Sequence, residues 1–119
     1  MDAAELRSLV GRQVVDRNGK PAGVLEVVFD DRATGRPEWI GVRTGALRHQ
    51  HVLVPAAGAE HDAPLVRVPW TRGLLKGAPG YDDSDRRGRL GLGEYRAAIS
   101  DEKSREVSAY YCLRSSKAS

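Results

Sequence analysis

Cysteine occurs once in the 119 residues, as Cys112. A single cysteine excludes an internal disulfide and a thiolate metal site within one chain, and it fits a reducing compartment. Long apolar runs are missing: no stretch approaches the roughly 18 residues that a membrane-spanning helix needs. The opening MDAAELRSLVGR lacks the basic flank and apolar run of a secretory signal. These absences lead to the expectation of a cytoplasmic, soluble protein without membrane insertion. Aromatic residues are scarce too, with one phenylalanine, two tryptophans and four tyrosines, so the core must be built from valine, leucine, isoleucine and alanine. Charge of one sign is nowhere concentrated. Residues 1–80 carry eleven Lys/Arg against nine Asp/Glu, and residues 81–119 carry eight against seven. The sequence pI is about 9.3, but interleaved signs describe a solvated surface rather than a phosphate-binding stripe.

What is present is the composition of one folded domain: 40% hydrophobic and 29% charged residues, with enough length for a single core. The organising stretch is Asp16 to Gly45. Asn18-Gly19 is the strongest short hairpin signal a sequence carries, because a type I′ turn needs positive φ at both central positions. It joins Arg12–Arg17 to Gly23–Asp30. In the second run Leu25, Val27 and Phe29 alternate with Glu26, Val28 and Asp30, the period of a strand with one buried face. Thr34-Gly35 and Pro37 make a second turn into Glu38–Thr44, giving an antiparallel meander. Gly41, inside that third strand, marks a bulge, a sharp bend or a close backbone approach. A bend is what a small closed barrel needs.

His51–Pro55 reads as a fourth strand and Pro64–Trp70 as a fifth, with a loop over Ala56–Ala63 between them. Thr71 caps a short helix over Arg72–Lys76 that Gly77 and Pro79 stop. Gly80–Gly93 reads as linker and Glu94–Ile99 as a further short helix. Ser100 caps a C-terminal helix from Asp101 to about Cys112, whose apolar face is Val107, Tyr110 and Tyr111. Asp2–Leu9 fits either one helical turn or an extended lead-in. The fold expected is an all-β core, a small antiparallel β-barrel of five or six strands. Residues 1–80 form the barrel and 81–119 a linker with a helical extension of the same unit, packed on the barrel or exchanged with another copy.

Few constellations carry chemistry. Asp30-Asp31 with Glu26 has the makings of a cation site or an acid–base pair, yet both aspartates also suit the turn that follows. His49, His51 and His61 lack a supporting carboxylate or thiol spacing for a metal. The GRLGLG segment 88–93 lacks the preceding strand and following helix that a phosphate cradle requires. Arg86, Arg87 and Arg89 stand behind Asp82, Asp83 and Asp85, which screen them. Cys112 reads as a small packed residue beside Tyr110, Tyr111 and Leu113. Trp70 reads as core or rim. Trp39 shares a strand face with Gly41 and Arg43, and fits a core position and an interface position equally well.

The run GRQVVDRNGKPAGVLEVVFDDRATGRPEWIGVRTG, then HVLVPAAGA, then VPWTRGLLKGAP, resembles the PRC-barrel family over about residues 9–80. That family is named for the cytoplasmic domain of the photosynthetic reaction-centre H subunit and includes the C-terminal domain of a ribosome-maturation factor. The YYCL ending resembles the YYGL-type close of many members, with Cys112 in place of glycine. The resemblance implies a small β-barrel used as a non-catalytic interaction module, with no catalytic, cofactor or metal residues to carry over. The chain departs from the H subunit in lacking a membrane helix, and from the ribosome factor in lacking its N-terminal domain. The function expected is an adaptor or scaffold for protein–protein contact, as a homodimer, with no enzyme activity and no cofactor. Its expected interface is Trp39, Arg43, Val107, Tyr110 and Tyr111. An RNA- or ribosome-linked role is the alternative; a small enzyme or a photosynthetic electron-transfer subunit ranks below both.

Overall fold

Asp16 organises the first turn. Its Oδ1 accepts the backbone N–H groups of Asn18 at 2.8 Å and Lys20 at 2.9 Å. The Asp16 N–H reaches the Lys20 carbonyl at 2.8 Å, and the Gly19 N–H returns to the Asp16 carbonyl at 2.9 Å. The loop is therefore three residues long, with Gly19 at φ 78°, rather than a two-residue type I′ turn. An aspartate that bonds its own downstream backbone favours this geometry. The second turn repeats the device: Asp31 Oδ1 accepts the Ala33 N–H at 2.8 Å, and Gly35 N–H donates to the Asp31 carbonyl.

The computed structural model describes the chain apart from residues 1, 32, 46–49, 83–84, 86–88, 91–93, 96–98 and 119, and gives the backbone alone for 89–90, 94–95 and 113–118. In chain order the elements are α1 (Ala3–Ser8), β1 (Gln13–Val15), β2 (Pro21–Asp30), β3 (Pro37–Thr44), β4 (Gln50–Pro55), a 3-10 turn (Ala56–Gly58), β5 (Glu60–Asp62), β6 (Leu65–Arg67), α2 (Arg72–Lys76), β7 (Arg89–Leu90), β8 (Glu94–Tyr95) and α3 (Asp101–Ala118). Asp2 settles the start as helical, because its Oδ1 caps the Glu5 N–H at 2.8 Å. Thr71 and Ser100 cap α2 and α3 as their sequence positions imply. Past Cys112 the chain has neither glycine nor proline before Ala118, and α3 continues to Ala118.

The largely β core is as expected, but the antiparallel closed barrel is not. Six strands form one sheet in the order β4-β3-β2-β1-β6-β5. β1 pairs antiparallel with β2 and parallel with β6, so the sheet is mixed. β5, inside the stretch read as loop, forms a hairpin with β6 and brings β6 alongside β1. Among the described residues no ladder joins β4 to β5. The outer edge of β4 is occupied instead by the chain after α2: the Leu53 N–H donates to the Pro79 carbonyl at 2.9 Å, and the Tyr81 N–H to the His51 carbonyl at 3.3 Å. At the other edge β5 is three exposed residues, Glu60, His61 and Asp62, short and polar enough to discourage pairing with another sheet.

A bulge changes which residues of β2 share a face. Leu25 pairs with Val42 and Val28 with Ile40, while Val27 pairs with Gly41 and Phe29 with Trp39. Paired residues point the same way and successive residues point apart. Leu25 and Val28 thus join Ile40, Val42, Val52 and Val54 on one side, and Val27 and Phe29 join Trp39 and Leu53 on the other. The extra residue between Leu25 and Val27 inverts the phase of the alternation. Both faces are covered, and the buried residues form one core that takes in Leu6 of α1, Leu75 of α2, Tyr81, Val107 and Tyr111.

The segment read as linker is structured where it is described. Tyr81 is buried, Asp82 and Asp85 cap each other's N–H groups, and Lys103 of α3 holds Asp85 at 2.8 Å. β7 pairs with β8, so Glu94–Tyr95 is strand rather than the start of a helix. No described helix is long and apolar enough to cross a membrane.

Candidate functional site

α3 docks through the stripe that its sequence sets at helical spacing. Val107 is wholly buried. The Tyr111 hydroxyl donates to the Leu53 carbonyl of β4 at 2.5 Å, and its ring meets Trp70 edge-on at 4.9 Å. The Tyr110 hydroxyl donates to the Leu74 carbonyl of α2 at 2.5 Å. Burial raises the Tyr111 hydroxyl pKa above its ordinary value, with the Tyr110 neighbour adding to it. Trp39 reaches the same helix from below: its Nε1 donates to Glu38 Oε1 at 2.6 Å and lies 3.0 Å from Ser104 Oγ, which itself donates to Glu38. Four of the five residues expected at an interface therefore lie where α3 meets its own sheet and α2. Arg43 stands apart, exposed at the far end of β3.

A shallow, mostly apolar groove of about 800 Å³ runs along this seam. Trp39, Trp70 and Tyr111 form its aromatic walls, and Pro55, Ser108 and Cys112 complete the rim. Trp70 is pressed against the 3-10 turn, where a β-carbon on Gly58 would come within 2.8 Å of its ring. A second hollow of about 740 Å³ adjoins it across Ala57 and includes Arg7 and Arg36.

Behind the seam lies a polar cluster absent from the sequence reading. Glu26 Oε2 accepts the Tyr81 hydroxyl at 2.5 Å and meets His51 Nδ1 at 2.7 Å. The Tyr81 ring packs edge-on against Phe29 and His51. It reaches the sheet because Gly41 has no side chain: a β-carbon there would lie 2.5 Å from the ring and from Val27. Gly41 thus makes room for a side-chain ring, where the sequence suggests a bulge, a bend or a close approach of backbone. The one available signal for Tyr81 was scarcity, since an aromatic in a chain with so few is an expensive residue to leave in a linker.

The other candidates are structural where they are described. Asp30 is buried and bonds Arg7 of α1 through Oδ2, while its Oδ1 has no partner among the described residues. Asp31 closes a turn. His61 lies 3.6 Å from Glu5. His49, Arg86, Arg87 and most of the GRLGLG segment fall outside the described residues. Asp16, placed by the sequence only within the first strand run, accepts three backbone N–H groups: Oδ2 adds the Arg72 N–H at 3.0 Å. Burial alone would push this carboxyl up, but hydrogen bonds from Lys20, Arg72 and Asn18 hold it below its ordinary value.

The architecture is that of a small, mostly β domain: a mixed six-stranded sheet whose β4 edge is covered by the chain after α2, with α3 docked along it. Residues 1–78 match the PRC-barrel domain family, and the chain belongs to it. That family consists of small β modules often involved in protein interactions. No curated protein matches the chain.

Proposed function

We propose that this chain is a non-catalytic protein-interaction module of the cytoplasm that self-associates, with the groove between α3 and the β3–β4 end as its contact surface. The observation that carries the reading is the groove itself. It gathers both tryptophans of the chain and a tyrosine along one open apolar seam, and aromatic side chains concentrate binding energy at interfaces. The polar groups support a non-enzymatic role, because Asp16, Asp30, Glu26 and Glu38 each tie two elements together. A general acid or base would need such a group facing a substrate.

Cys112, on the groove rim, supplies the test. Light scattering between 1 and about 100 μM should show a dimer, and Cys112 should be alkylated more slowly as concentration rises. Trp70→Ala should shift the equilibrium to monomer. A strict monomer with concentration-independent alkylation overturns self-association; if it still captures a partner that Trp70→Ala loses, the module reading stands with a different occupant. Turnover of any substrate abolished by one polar substitution overturns the non-catalytic reading.

A further inference from the structure

We propose that Arg43, Arg72 and Lys76 form a binding site for a phosphate-bearing ligand, separate from the aromatic groove. The three cations line one concavity of about 590 Å³ on the opposite end of β3. Arg43 comes from β3, and Arg72 and Lys76 are the first and last residues of α2. Among the described residues no carboxylate lines the hollow, whose remaining wall includes Gln13, Thr44 and the stretch from Pro21 to Val24.

Each cation is exposed, and none has an ion-pair partner among the described residues. Three other basic side chains have carboxylate partners, Arg7 with Asp30, Arg67 with Asp62 and Lys103 with Asp85; what sets Arg43, Arg72 and Lys76 apart is that they line one hollow together. The nearest buried carboxylate, Asp16, is spent on three backbone N–H groups. Three like charges around one hollow repel each other, and an anion relieves that repulsion.

The frame is held in place before any ligand arrives. Asp16 and Thr71 anchor the start of α2, and Gln50 Nε2 donates to the Lys76 carbonyl at 2.9 Å. β2 presses on β3 so closely at this point that a β-carbon on Gly23 would come within 2.4 Å of the Arg43 carbonyl. Two guanidinium forks with an ammonium match the several oxygens and the double charge of a phosphate better than a single carboxylate. Such phosphate comes from a small molecule or from a nucleic-acid backbone, and the experiment separates the two.

Calorimetric titration of the full chain at low salt would use inorganic pyrophosphate, a nucleoside diphosphate and a single-stranded RNA oligonucleotide. Pyrophosphate should bind saturably below about 1 mM, and Arg43→Gln, Arg72→Gln and Lys76→Gln should each weaken it roughly 3- to 10-fold, as charge-assisted hydrogen bonds do. The triple variant should lose binding. A control triple at exposed positions outside the hollow, Arg17→Gln, Lys20→Gln and Arg36→Gln, should stay within about 2-fold of the parent. Amide shifts at Gly11, Gly23 and Gly45 in the unmodified chain locate the ligand without relying on any variant. RNA binding tenfold or more above pyrophosphate, lost in the first triple alone, identifies a nucleic-acid source; equal affinities identify a small phosphate. Absence of saturable binding by all three probes, or equal losses in both triples, overturns the site. None of these outcomes bears on the aromatic groove.

Discussion

Removing one oxygen from Tyr111 tests how α3 is attached. In Tyr111→Phe the ring keeps its edge contacts with Trp70 and Tyr110, while the buried Leu53 carbonyl loses its donor. Leaving a buried acceptor without that bond costs roughly 1–2 kcal/mol. For a domain of this size that lowers the melting temperature by about 4–8 °C. Tyr111→Ala also removes the ring and opens a cavity, for a total of about 3–5 kcal/mol, a large part of the 5–15 kcal/mol a domain holds in all. Urea unfolding followed by tryptophan fluorescence reads both, since Trp39 and Trp70 flank the helix. Alkaline titration gives a second readout. The raised Tyr111 value means that its neutral form stabilises the fold fully below the ordinary tyrosine value of about 10, a contribution lost as pH climbs through the folded value. Tyr111→Phe should therefore delete a tyrosine that ionises above the ordinary value. If Tyr111→Phe matches the parent within about 0.3 kcal/mol and Tyr111→Ala costs less than about 1 kcal/mol, α3 is not docked through this side chain.

Two further outcomes follow from the interior. Gly41→Ala drives a methyl into the Tyr81 ring and Val27, so it should destabilise by roughly 1–3 kcal/mol and expose Tyr81 in near-ultraviolet dichroism; an unchanged spectrum would show that the ring does not lie on Gly41. The Asp16 carboxyl sits below its ordinary value when folded, so its contribution is complete above about pH 4 and disappears as pH falls through the folded value. Asp16→Asn should lower stability at pH 7 by roughly 1.5–3 kcal/mol, the range for hydrogen bonds to a charged group. It should also flatten the stability curve below pH 4, and a parent-like acid limb in the variant would remove Asp16 from that role.

The elements that depend on neighbours in sequence were legible. Thr71 and Ser100 announce their helices because a cap acts within one turn, and Asn18-Gly19 and Thr34-Gly35 announce hairpins because turn chemistry is local. The Val107, Tyr110 and Tyr111 stripe was legible as an apolar face, and the order of strands over residues 9–80 carried the family. The three-residue form of the first loop depended on where the Asp16 side chain folded back. Three larger matters were decided only by the tertiary structure. The bulge in β2 placed Val27 and Phe29 opposite Leu25 and Val28, which no regular alternation reveals. The partner of the apolar stripe was the chain's own sheet, a choice set by geometry rather than composition. Among the described residues no ladder closes the sheet, and residues 79–81 lie along the β4 edge; pairing across such a distance depends on the packing of Tyr81 over Gly41, not on either residue alone.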